Sequence, residues 1–311
     1  MYDWVVRECE FSEPRPQQIE FARLNITNTI MSKRFLKKLV DEQKVMGCDD
    51  PRMPTLSGLR RRGYPAEALK DFCERIGVAK ANSEVEEGYL QSCVRENLNL
   101  TANRVMAVFD PLKVVLSNAG EEILSVEDNP NAENVTYRDV PFSSEIYIDR
   151  SDFALVPPPK YHRLKPDGYV RLKGAYIIHC DEVVQNEQGE VTELHCSVVP
   201  NSKSGEDTSG MKVKGVIQWV DAKTCVDVTV RKLQSLLNDV VDGVTDFNLR
   251  FNENSLQEVC AKVEKSLLSA KVEDKFQFMR VGYYVVDKDS NGNNLVFNEI
   301  VGLKDSFNAA K

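Results

Sequence analysis

The sequence predicts an α+β, multidomain chain: a helical part over residues 1–104, then one or two mostly antiparallel β-barrels over residues 105–311. Three observations predict it. The 311 residues suit two domains at roughly 100–200 residues each. Apolar residues recur at helical spacing in the first third of the chain. From residue 105 the texture changes to short β-branched and aromatic runs parted by turn residues.

The helices come first. "SKRFLKKLVDEQK" places Phe35, Leu36, Leu39 and Val40 on one face. In "YPAEALKDFCERIG", Pro65 suits a first turn, Leu69, Phe72, Cys73 and Ile76 follow the i, i+3, i+4, i+7 rule, and Gly77 stops the helix. "SEVEEGYLQSCVREN" opens with a capping box of Ser83 and Glu86. Its stripe is Tyr89, Leu90, Cys93 and Val94.

The strands follow in "RVMAVFDPLKVVLSN", "VTYRDVPFSSEIYID", "YVRLKGAYIIHCDEVVQNEQGEVTELHCSVV", "KVKGVIQWVD" and "FQFMRVGYYVVDKDSNGNNLVFNEIV". Turns at Asn129-Pro130, Asn186 to Gly189 and Asn291-Gly292 separate them. "TVRKLQSLLNDVVDG" and "SLQEVCAKVEKSLL" fit strand, helix or loop equally.

Composition excludes several classes. No apolar run approaches the ~20 residues of a membrane span, and "MYDWVVRECEF" is not a basic-then-apolar leader. A cytoplasmic location is the expectation. The eight cysteines form no Cys-x-x-Cys pair. Several, such as Cys73 and Cys93, fall at core positions and read as buried thiols rather than disulfides or a zinc site. Residues 1–104 carry 17 Lys and Arg against 16 Asp and Glu, and residues 105–311 carry 23 against 32. That acidity opposes indiscriminate nucleic-acid binding but allows a local basic groove.

Three motifs invite a site. "DKDSNG" offers Asp287, Asp289, Asn291 and Gly292 like the start of a calcium loop, but Asn298 stands where a bidentate Glu belongs. A hairpin turn explains every residue, so no metal is expected. His179-Cys180 and His195-Cys196 lie on opposite arms of a hairpin. With the turn centred near Glu187, His179 and His195 face each other, yet each sheet face then holds too few ligands for a metal. In "GLRRRGY", the arginines end one helix before Pro65 begins another, either solvated or against an acidic neighbour or phosphate.

"TIMSKR", with "DDPRMPTLSGLRRRGY" downstream, resembles the glutaminyl-tRNA synthetases of class I. The match continues through "FCERIGV", "VREN", "VPFSSEIYIDRSDF", "VKGVIQWV" and "VFNEIVGLKDSF", in order and over essentially the whole chain. Met31-Ser32-Lys33 looks like the centre of the family's KMSKS loop, with Ile30 and Arg34 at the relaxed outer positions. The resemblance implies that Met31, Ser32, Lys33 and Arg34 bind ATP, and that Met31, Ser32 and Lys33 serve amino-acid activation. A lysine ammonium there stabilises charge building on the departing phosphates. The resemblance further implies ATP with Mg2+ as substrate, glutamine and tRNA(Gln) as partners, a monomer, a helical connecting subdomain and two anticodon-binding β-barrels. It also shows a lack. The three histidines, 162, 179 and 195, leave no HIGH tetrapeptide, and no βαβ unit precedes residue 31. The chain is expected to be the C-terminal part of such an enzyme and to form no glutaminyl-adenylate alone.

RNA sequence is read best from splayed single-stranded bases, and arginine's planar fork bonds two acceptors at once. By resemblance Arg104, Asn131, Lys160, Arg163, Arg171, Lys173, Gln277 and Arg280 fall at anticodon-contacting positions, with Asn99 nearby. Lys160, His162 and Lys173 depart from the glutamine, lysine and arginine usual in the family. Lys160, His162, Arg163, Lys165, Arg171 and Lys173 make a basic groove plausible in its own right. Two alternatives stand beside this reading. One is a glutamyl-tRNA synthetase of the archaeal or eukaryotic type. The other is a non-catalytic tRNA-binding protein, which would have no use for a phosphate lysine.

Overall fold

Helices occupy much of the first hundred residues: α1 (Tyr2–Glu8), α2 (Lys33–Asp41), α3 (Leu56–Arg61), α4 (Ala66–Ile76) and α5 (Glu87–Thr101). The computed structural model describes residues 1–238, 250–292 and 294–303. In α2, Leu39 is buried and Phe35, Leu36 and Val40 pack beside it against Ile30, Val45, Met53 and Leu236. α4 ends at Gly77, whose φ of +63° breaks the helix. Its buried line is Ala68 and Phe72. Leu69 and Ile76 are partly covered, and Cys73 is exposed rather than in the core. α5 buries Leu90, Cys93, Val94 and Leu98 against α4 and against Tyr283, Val285, Ile300 and Val301 of a later sheet.

The capping box expected at Ser83 and Glu86 does not form. Ser83–Val85 is a strand, β2, paired in parallel with β1 (Leu24–Ile26). That pairing draws residues 83–85 into extended backbone, so the helix starts at Glu87. The cap comes from the neighbouring strand, where Thr27 Oγ1 accepts from the Glu87 amide at 3.0 Å.

The remaining strands are β3 (Asn103–Val105), β4 (Ala107–Val108), β5 (Pro111–Leu116), β6 (Glu122–Glu127), β7 (Tyr137–Phe142), β8 (Glu145–Asp149), β9 (Tyr169–Leu172), β10 (Ile177–Gln185), β11 (Val191–Val198), β12 (Val216–Ile217), β13 (Trp219–Asp221), β14 (Val226–Leu233), β15 (Leu256–Val263), β16 (Lys275–Phe278), β17 (Gly282–Val286) and β18 (Val296–Gly302). The two stretches that the sequence left open thus supply β14 and β15. The end of the first, from residue 239, and residues 304–307 of the last family motif lie outside the described residues.

Two seven-stranded sheets result, ordered β12-β9-β10-β11-β5-β8-β13 and β3-β16-β17-β18-β14-β15-β4. In the first, β12 and β13 lie at opposite edges with only Gln218 between them. That requires the sheet to curl until its edges meet, which makes it a barrel. The second closes the same way across Met106, between β3 and β4. In each barrel four of the six pairings are antiparallel. The closing strand of the second barrel precedes the whole of the first, so the first barrel is an insertion into the second.

The hairpin of β10 and β11 differs from the sequence expectation. His179 pairs with Ser197, Cys180 with Cys196 and Glu182 with His195. The turn sits one position later than supposed, with a bulge at Asp181, so the two histidines do not face each other. Cys180 and Cys196 are buried thiols inside the first barrel.

Candidate nucleic-acid interface

One edge of the second barrel gathers four of the expected RNA residues. Arg104 on β3 and Gln277 on β16 are register partners across a parallel pair. Arg104 donates from Nη2 to Asn99 Oδ1 at 3.3 Å, and Asn131 donates from Nδ2 to the same oxygen at 3.1 Å. Asn129 fixes this corner by donating to the carbonyls of Asn99 and Ala102 and accepting from the Asn131 amide. Tyr283 lies opposite Gln277 on β17. Burial pushes its hydroxyl up, against the pull of the Arg104 and Arg95 charges. Arg104 Nε and Gln277 Oε1 are both buried and without a hydrogen-bond partner. A donor and an acceptor on register-paired residues are therefore desolvated and unsatisfied, which is costly unless a ligand supplies their partners.

A second cluster joins the two barrels. Asp152, 1% exposed, ends a short 3-10 turn, Arg150–Asp152. Arg280, in the turn between β16 and β17, donates from Nη1 and Nη2 to its two oxygens, both at 2.8 Å. Arg163 approaches the same carboxylate at 3.3 Å and donates to the Ser151 carbonyl at 2.9 Å. Burial pushes the Asp152 carboxyl up, and the two guanidiniums pull against it.

The other expected RNA residues are placed separately. Arg171 on β9 donates to the Ser202 carbonyl at 2.8 Å and pairs with Asp207. Lys173 lies 3.6 Å from Glu127. Lys160 is exposed on a left-handed backbone, φ +62°. His162 and Lys165 are also exposed. Arg171 and Lys173 already have carboxylate partners, so any RNA contact must compete with them.

Met31 and Ser32 lead into α2, which Lys33 and Arg34 begin. Ser32 is the N-cap and makes no side-chain capping bond. Met31, Lys33 and Arg34 are exposed, and no acidic residue occupies the first turn. Two cations at the positive end of a helix oppose the dipole. The arrangement suits an anion, which would neutralise the cations and accept from the open amides. The loop is tied to the second barrel's side of the molecule, where Ser235 Oγ donates to the Asn28 carbonyl at 3.1 Å.

Downstream arginines are structural. Arg52 is 8% and Asp50 0% exposed at the side chain, 2.7 Å apart. Arg52 also donates to Ser255 Oγ at 2.9 Å. Burial alone would raise Asp50, but the Arg52 bonds hold it below the usual carboxylate range. Arg61 donates to Asp287 at 2.8 and 3.0 Å and to Asp289 at 2.8 Å. Arg231 reaches the same two carboxylates. Asn298, at the would-be twelfth calcium position, donates to Asp287. The acidic-neighbour option for the arginine run is thus the one observed at Arg61. Burial would raise Asp287, yet the Arg61 fork and neighbouring donors hold it down to about 2. Among the described residues no group of three or more His, Cys, Asp or Glu is arranged to hold a metal ion. Nor is any helix long and apolar enough to cross a membrane.

Sequence reasoning missed Asp152 and Tyr283, and it singled out Asp287 only for a calcium loop, not as the partner of Arg61. A lone aspartate gives no sequence signal for the arginine it will meet, and only a pairing of "RSD" with "FMR" would have exposed the clamp.

Three family models match the chain: tRNA synthetases class I (E and Q), catalytic domain, over residues 1–100, and the corresponding anti-codon binding domains over 102–199 and 216–287. The chain is 51% identical over 313 residues to a glutamine–tRNA ligase of Clostridium perfringens, covering 99% of this chain and 56% of the relative. It is 47% identical over 314 residues to that of Rhodopirellula baltica, covering 99% and 52%. To that of Proteus mirabilis it is 44% identical over 310 residues, covering 99% and 56%. The chain therefore spans little more than half the length of these relatives.

Proposed function

The chain belongs to the class I tRNA synthetases for glutamate and glutamine, and from that premise we propose that it is the C-terminal part of a glutamine–tRNA ligase. Residues 105–311 bind tRNA(Gln) and read its anticodon. Residues 1–104 are the end of the catalytic region, whose Met31-Ser32-Lys33 loop steadies the ATP phosphates during glutamine activation, with Mg2+, in the whole enzyme. Arg34 adds positive charge at the same helix end. The observation that carries the RNA reading is the pair Arg104 and Gln277, in register, half-buried and each with one buried, unsatisfied polar atom. A nucleobase edge offers both an acceptor and a donor, so a splayed base satisfies both at once. Asn99 and Asn131 border that position, and Arg163, with Lys160 nearby on the same loop, supplies a second approach. Arg171 and Lys173 contribute through exchange of their carboxylate partners. The relatives reported above are glutamine ligases, which favours glutamine over glutamate.

The test is a titration of this chain with a tRNA(Gln) transcript and with transcripts changed at single anticodon bases, at one fixed near-physiological salt concentration. Weakening by about tenfold or more, ~1.4 kcal/mol, supports the reading. Equal binding of all transcripts, or none, withdraws the base-reading roles. With no HIGH tetrapeptide in the sequence, the pure chain is expected to catalyse no glutamine-dependent pyrophosphate exchange with ATP, and detectable exchange would refute the placement of the catalytic half elsewhere.

A further inference from the structure

We infer that Asp152 is a positioning residue for anticodon reading: one buried carboxylate of the first barrel locks Arg280 of the second and sets Arg163 as the guanidinium that meets RNA. This rests on the anticodon reading proposed above and assigns different duties to Arg163 and Arg280, which the resemblance put alike at anticodon-contacting positions.

The carboxylate is itself fixed. The Asp152 carbonyl accepts from the Leu164 amide at 3.0 Å, and Phe153 bridges to Leu164. The loop that carries Arg163 is therefore pinned to the turn that carries Asp152. Arg280 meets this carboxylate fork to fork, with both terminal nitrogens engaged at 2.8 Å. Such bidentate pairs are the strong, directional ones. The backbone around Arg280 is held as well. Its φ is +63°, the preceding Met279 donates to the Val105 carbonyl at 2.9 Å, and Met279 packs on the core of the first barrel. Arg280 thus acts as a bolt between the barrels, on the turn that follows Gln277 and β16.

Arg163 is held differently. Both of its described contacts use Nη1, at 2.9 Å to Ser151 and 3.3 Å to Asp152. Its side chain is 42% exposed. The Nε–Nη2 edge, the fork that bonds two acceptors at once, is engaged by neither group. One carboxylate with two guanidiniums leaves a net charge of +1 facing the RNA side. Asp152 therefore lends Arg163 orientation without cancelling its attraction for phosphate or base.

This makes two effects separate. Replacing Asp152 with Asn removes a negative charge, which strengthens sequence-independent attraction to any tRNA. It also frees Arg163 and Arg280 from their fixed geometry, which weakens selection among bases. A carboxylate that merely supported the fold would lower affinity for every transcript alike. The experiment measures binding of tRNA(Gln) and its three single-base anticodon variants to wild type, Asp152→Asn, Arg280→Lys, Arg163→Lys and the double variant Asp152→Asn/Arg163→Lys, at two salt concentrations. In Asp152→Asn, discrimination at one anticodon position is expected to fall about tenfold, while binding of the altered transcripts holds or tightens. Arg280→Lys keeps the charge, loses the fork and sits at the surface. It shows the same loss of discrimination without tightening, and it decides the question if Asp152→Asn does not fold. The double variant discriminates no worse than Arg163→Lys alone, because Asp152 acts through Arg163. Retained discrimination in both Asp152→Asn and Arg280→Lys, or equal weakening of all four transcripts, overturns the inference. Failure of the wild type to discriminate overturns instead the anticodon reading on which it rests.

Discussion

Gln277 carries a polar atom that opposes stability, and the anticodon reading proposed above gives that atom a use. Its Oε1 is buried without a donor, which costs the folded chain roughly 1–3 kcal/mol. Gln277→Leu is expected to leave urea stability unchanged or raise it by about 1 kcal/mol, while discrimination against a changed anticodon base drops by ~1–3 kcal/mol. A variant that lost stability and kept discrimination would place Gln277 in the scaffold. Asp287 behaves in the opposite way. Its carboxyl titrates near 2 in the folded chain, against 3.8 ordinarily. A depressed carboxylate contributes stability that is present above the unfolded value and lost as pH falls through the folded one. Wild type is therefore expected to lose about 2 kcal/mol more than Asp287→Asn between pH 5 and pH 2. Parallel acid-unfolding curves for the two would show that Arg61 and Arg231 do not hold this carboxylate. The candidate site residues come from motif resemblance. Their partners were not legible in the sequence, because Asp152 and Arg280 lie 128 residues apart and Arg61 and Asp287 lie 226 apart. No local pattern encodes such a meeting.

Elements were more legible than contacts, and their errors have physical causes. The spacing of Phe35, Leu36, Leu39 and Val40 gave α2, since one apolar face suffices to define a helix packed on one side. Ser83 and Glu86 spelled a capping box, but β1 offered residues 83–85 a strand partner and Thr27 supplied the cap. Tertiary pairing overrode a local signal worth about 1 kcal/mol. The β10–β11 register differs because the turn lies one position later than its polar residues suggest, and two irregularities, at Asp181 and between Val184 and Gln185, break an alternation that the sequence alone cannot place. α2 itself carries a testable conflict. Lys33 and Arg34 occupy a first turn that has no acidic residue. Arg34→Glu is expected to stabilise the chain by roughly 0.3–1 kcal/mol in thermal unfolding at low salt, with the gain fading as salt rises. Destabilisation at low salt would mean that the cations are satisfied by contacts within the chain, and the case for a phosphate at this helix end would weaken.

At the scale of the molecule, short alternating runs announced barrels, but the strand assignment to each barrel was hidden. The reason is topological. Each barrel is closed by a strand pair with one residue between its halves, and for the second barrel that pair stands before the entire first barrel. Val263 pairs with Ala107, and Phe276 with Asn103, across more than a hundred intervening residues. The consequence is an asymmetry between the barrels. The first holds its strands within Pro111–Asp221, whereas the second depends on Asn103–Val108 as well as on Val226–Gly302. Two fragments test this. One begins at residue 102 and keeps β3 and β4; the other begins at residue 110 and lacks both. Neither has the helices, so both expose the face of Tyr283, Val285, Ile300 and Val301 to the same degree. The difference between them isolates barrel closure. Without β3 and β4, strands β16 and β15 become open edges, with unpaired backbone groups and a hydrophobic interior exposed to water. Hydrogen exchange is expected to show protection throughout β14–β18 in the longer fragment and its collapse there in the shorter one, with β5–β13 protected in both. Equal protection of β14–β18 in the two fragments would mean that the second barrel holds together as an open sheet, and that closure at Met106 serves only to set the distance between Arg104 and Gln277.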